Sequence, residues 1–130
     1  MPFPYITSIT AGVLILLQVL LAFAISGFRG KSNTWLGDGG NAELARTVRR
    51  HANLAENAGL FATGFTLLEM SQRSPKLLTG LCVAFVLARL VHAAGLSRQN
   101  TNNPLRLMGG LGTYLIGFTL GGALIWTSLT

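Results

Sequence analysis

The chain has 130 residues, of which only 11% are charged, and a mean hydropathy of +0.51; this fits one domain and excludes an ordinary soluble protein. A net charge of +6 would suit nucleic acid, but the basic residues sit at the ends of apolar segments, where the positive-inside rule accounts for them. Cys82 is the single cysteine, which rules out an intramolecular disulfide and a cysteine-based metal site, and no metal is expected.

Residues 1–28 carry no charged side chain, a run longer than the ~20 residues that cross a bilayer. With no basic residue ahead of it and no clear cleavage signal, it reads as a retained first transmembrane helix over about 4–28, with Gln18 as its one strongly polar interior residue and Arg29 and Lys31 at its end. Residues 30–40 have loop composition, and Trp35 suits a membrane interface. Asn41 is the expected N-cap of a second helix over 42–72, with Glu43 at its positive dipole end. At ~1.5 Å per residue this helix is roughly 45 Å long, so its first turns, with Arg46, Arg49 and Arg50, protrude. A basic turn, Arg73-Ser74-Pro75-Lys76, leads into a third helix over 75–98, with Ser74 as N-cap. Residues 99–103 form a polar loop in which Asn103 caps, and Pro104 opens, a fourth helix over 104–128. Gly117 and Gly121 form a small-xxx-small pair suited to close helix packing.

The expected fold is therefore all-α, an antiparallel bundle of four transmembrane helices. Lysine and arginine are concentrated in the first and third loops, which places those loops in the cytoplasm and both termini outside. Arg46, Arg49, Asn53 and Glu56 follow spacings of three, four and three, and so line one face of the second helix. Glu56 precedes Ser74 by as many residues as His92 follows it, and Asn53 and Arg89 lie nearby on the same count. At ~1.5 Å per residue all four fall about 22–32 Å from the outer turn. Arg106 enters the same layer from the fourth helix, near the cytoplasmic side.

Polar groups are costly in lipid, so such a layer faces protein, water or a ligand. Arginines beside an asparagine suit a small anion with carboxylates, because the guanidinium offers paired donors in a planar fork. Glu56 can accept a ligand ammonium group. Plainer readings stand beside each residue. Glu56 and Arg89 neutralise each other as a structural ion pair, and His92 is a structural hydrogen-bonding group. Arg49 and Arg50 set topology, and Arg106 anchors at the interface.

Arg49-Arg50-His51-Ala52-Asn53-Leu54-Ala55-Glu56 resembles the Arg-x-x-x-Asn-x-x-Glu pattern of the membrane-associated proteins in eicosanoid and glutathione metabolism, the MAPEG family. Arg89-Leu90-Val91-His92 and Arg106 extend the resemblance to the third and fourth helices, and it is greatest to small bacterial members. The resemblance implies a homotrimer in a bacterial inner membrane, with glutathione as co-substrate and a lipophilic small molecule as its partner. It assigns glutathione contacts to Arg29, Arg49, Asn53, Glu56 and His92. Arg106 matches the arginine thought to hold the glutathione thiolate, and a fixed positive charge does favour that form of a thiol. The chain departs from the family at Leu96 and Leu107, where characterised members can carry hydroxyl groups; Tyr114 is a candidate substitute.

These readings lead to a glutathione-dependent transferase or peroxidase acting on lipophilic electrophiles. The alternatives are a noncatalytic trimeric membrane protein, which Leu96 and Leu107 favour, and a small-molecule transporter. The missing acidic residue in the first helix weighs against transport.

Overall fold

The structure, a computed structural model, describes residues 3–100 and 102–130. Met1 and Pro2, in the charge-free N-terminal run, and Thr101, in the polar loop, lie outside the described residues. Four helices make up the fold: α1 (Tyr5–Ser32), α2 (Ala42–Met70), α3 (Pro75–Ser97) and α4 (Pro104–Leu129). α1, α3 and α4 are long and apolar enough to cross a membrane. α2 matches them in length, but the polar residues of its first half lower its mean hydropathy.

The helix ends follow local chemistry. Asn41 caps α2 as expected, its Oδ1 accepting from the backbone N–H groups of Glu43 (2.9 Å) and Leu44 (3.1 Å). Asn103 likewise accepts from the Arg106 N–H at 3.2 Å, with Pro104 next to it. Ser74 holds the N-cap position of α3, but its side chain makes no capping bond there. α1 runs a turn beyond the expected residue 28. Arg29 and Lys31 sit in its last turn, where cations suit the negative end of the dipole, and Asn33 ends it in the left-handed region at φ 49°. α2 stops at Met70, two residues short of expectation, and Gln72 turns the chain at φ 56°.

α1 packs on α2 and α3, α4 packs on α3 and α2, and among the described residues the backbones of α1 and α4 do not come close. Phe61, Phe65 and Phe85 form the centre of the core. The Phe61 and Phe85 rings are stacked, with centroids 4.2 Å apart, and Phe65 meets Phe85 edge-on at 5.7 Å. In lipid these contacts gain little from the hydrophobic effect, so close packing and small residues carry the association.

The closest approach is between α3 and α4. A Cβ on Gly95 would lie 2.4 Å from the Arg106 backbone nitrogen, and one on Gly109 would lie 2.6 Å from both the Cβ and the backbone nitrogen of His92. The expected pair, Gly117 and Gly121, does not perform this role. A Cβ on Gly117 would meet only the tip of Phe61 at 3.3 Å, and Gly121 faces open space.

Candidate functional site

The glycine contacts place the last turns of α3 against the first turns of α4, and this brings His92 and Arg106 to one place. Asn103 closes the corner from the loop, its Nδ2 donating to the Gly95 carbonyl at 2.8 Å and to the Asn100 carbonyl at 2.7 Å. The first half of α2 completes the wall. A cavity of about 320 Å³, open on one side, lies between the three helices. That is at the lower end of the ~300–1,000 Å³ usual for small-molecule sites.

Arg49, Asn53, His92 and Arg106 all line this cavity. Four residues singled out on three helices therefore share one wall. Leu96, Leu107 and Tyr114 line it too, so the two leucines at the family's hydroxyl positions face the same space as the candidate substitute. Tyr114 provides the one hydroxyl among the described lining residues.

Two assigned residues are placed differently. Arg29 lies outside the cavity wall, and its Nη1 donates to the Thr34 carbonyl at 3.1 Å, holding the start of the loop after α1. Glu56 is not a lining residue, although it borders the cavity through its 3.1 Å ion pair with Arg49, whose two side chains are 56% and 52% exposed.

The expected Glu56–Arg89 ion pair does not form. Arg89 is 4% exposed and donates instead to the Asn53 Oδ1 (2.7 Å), the Gly109 carbonyl (3.1 Å) and the Thr113 hydroxyl. It also lies 5.7 Å from the centroid of the Phe85 ring. Residues three apart on a helix differ by about 60° of arc. That rotation turns Asn53 toward α3 while Glu56 faces outward. Arg50 is turned toward α3 as well, where its guanidinium donates to the Ser97 hydroxyl (2.8 Å) and the Thr47 hydroxyl (2.9 Å).

Glu69 has a structural role that the sequence reading missed. Its two carboxylate oxygens accept from the backbone N–H groups of Ile6 (2.9 Å) and Thr7 (2.8 Å), so α2 caps the start of α1. The signal was the absence of a side-chain cap in the sequence before α1, where Pro4 holds the N-cap position.

The cavity offers two guanidinium groups, the amides of Asn53, Asn102 and Asn103, and an imidazole, with one carboxylate at its edge. This set suits a polar anion with more than one acceptor group and a nearby ammonium. The chain matches the model of the MAPEG family over residues 7–126. No curated protein and no solved structure matches it.

Proposed function

This chain belongs to the MAPEG family, and from that premise we propose that it binds glutathione in the cavity between α2, α3 and α4 and presents its sulfur to lipophilic electrophiles. The observation that carries this reading is the convergence of Arg49, Asn53, His92 and Arg106 on one wall. Arg49, Asn53 and His92 bind the carboxylates and peptide groups of glutathione, and Glu56 receives its ammonium. Arg106 holds the sulfur as thiolate. The thiolate attacks the electrophile, forming a C–S bond as the leaving group departs, or it attacks a peroxide oxygen, breaking the O–O bond to release the alcohol and leave a sulfenic acid that a second glutathione converts to the disulfide and water. The site opens toward the cytoplasm, with both termini outside, as the distribution of basic residues favours.

The working form is a homotrimer. The Arg49–Glu56 pair is half-exposed at a depth where lipid is a poor neighbour for charge, and a second copy would cover it. A role for Arg29 in glutathione binding then requires that it reach a neighbouring copy. The noncatalytic reading is supported by Leu96 and Leu107 in the cavity wall.

The decisive experiment is Arg106→Ala in detergent-purified protein. Native mass spectrometry should show a trimer for both proteins, and glutathione affinity should fall modestly because other groups hold its carboxylates. Conjugation of a generic electrophile should fall by about a hundredfold, the usual scale for removing one stabilising donor. Thiolate absorbance titrated against pH should show a higher apparent thiol pKa in the variant. An unchanged titration with full activity would reduce Arg106 to an interfacial anchor.

A further inference from the structure

We infer that Arg89 is a positioning residue that fixes the direction of the Asn53 amide, so that the cavity meets its ligand there with an N–H donor only. A guanidinium has five donors and no acceptor, so the atom of Asn53 facing it must be the oxygen. The 2.7 Å contact from Arg89 Nη1 to Asn53 Oδ1 therefore determines the amide's orientation by chemistry. The Nδ2 group is left for the cavity that Asn53 lines.

Arg89 cannot easily release this bond. It is buried, no carboxylate pairs with it among the described residues, and its charge rests on the Asn53 oxygen, the Gly109 carbonyl, the Thr113 hydroxyl and the Phe85 ring. Two of these partners belong to α4, the helix that carries Arg106. One side chain thus sets the polarity of an α2 ligand group and ties it to α4. A free asparagine amide accepts or donates equally well. Asn53 held in this way favours a carboxylate or carbonyl and disfavours a ligand N–H or O–H at that point. The orientation stands on geometry alone, and the identity of the acceptor as a glutathione oxygen rests on the function proposed above.

Arg89→Lys and Arg89→Gln separate orientation from packing. Lysine is also donor-only and still forces the Asn53 oxygen inward, whereas glutamine can present either of its ends and frees the amide to turn. Glutathione affinity, measured by calorimetry on the detergent-purified trimer, should stay within about threefold of wild type for Arg89→Lys. It should fall about ten- to a hundredfold for Arg89→Gln, the worth of a hydrogen bond to a charged group. Equal affinities for the two variants would overturn the inference.

A ligand-free measurement distinguishes failure of this inference from failure of the proposed function. Asn53→Asp gives Arg89 a counter-ion and should melt no lower than wild type. Asn53→Leu strands the guanidinium and should melt several degrees lower, as expected for losing about 1–3 kcal/mol. If wild type binds no glutathione but the two Asn53 variants separate in this order, the proposed ligand is wrong and the orientation holds. If Asn53→Leu melts with wild type, Arg89 does not depend on Asn53 and the inference fails.

Discussion

At the end of the bundle that gathers both termini, Glu69 of α2 has both oxygens occupied by backbone N–H groups of α1, and Arg73 reaches the Thr130 hydroxyl. At the opposite end Glu56, on the same helix, meets only Arg49 among the described residues, and both side chains remain half-exposed beside the cavity. The two glutamates differ in what their oxygens have left to offer. Glu69 has spent its acceptors on a helix terminus and serves as a fixture. Glu56 holds a half-exposed partner, Arg49, and remains available to an incoming cation. A polar group in a membrane helix marks a site when its hydrogen bonds are incomplete, and its charge alone does not reveal that.

The largest expected effect comes from disturbing the backbone contact that assembles the cavity. Gly109→Val would drive new atoms into the His92 backbone nitrogen and the Ala88 carbonyl, both under 3 Å from a Cβ there. The cost should reach or exceed the upper end of the ~1–3 kcal/mol typical of overpacking, because helix backbone cannot step aside. Thermal melting should drop sharply, and glutathione binding should be lost together with the register between His92 and Arg106. Normal binding in this variant would mean that the α3–α4 contact does not shape the site. Glu69→Ala should come next. It strands two N–H groups at the start of α1, at about 1–3 kcal/mol each if they stay dry and less where water reaches them. Its melting temperature should fall while glutathione affinity stays unchanged. A loss of affinity in step with stability would show that the two ends are coupled. In the dissociated protomer Glu56→Gln should change stability least, since a half-exposed ion pair contributes ~0–1 kcal/mol. In the trimer the melting shift should be larger, because assembly covers the pair; equal small shifts in both states would show that it stays exposed.

Much of this arrangement was legible in the residues. Helix ends followed from Asn41, Asn103 and Pro104, whose capping chemistry is local. The polar layer followed from counting along helices that meet at a tight turn, because rise per residue is nearly constant. That count gives depth and says nothing of azimuth. It therefore put Glu56 and Arg89 at one level without revealing that Asn53, turned toward α3, is the one that reaches Arg89. The packing glycines were hidden for a related reason. α4 is rich in glycine, and only the path of α3 distinguishes Gly109, which is pressed on His92, from Gly121, which faces open space. Arg29 sits in the last turn of α1 as expected, and its side chain turns to the loop, a direction that its position along the helix does not give.

The cavity wall is built from α2, α3 and α4, and α1 lends it no residue. α1 is also the helix whose described backbone stays away from α4. With 28 residues, it is about 42 Å long, well beyond the ~30 Å thickness of a bilayer's hydrocarbon core. Helices of such excess length tilt. Here the N-terminal end is tethered to α2 by Glu69, and Leu14, Leu17 and Leu21 hold the middle of α1 in the core, so tilt carries α1 and α2 together.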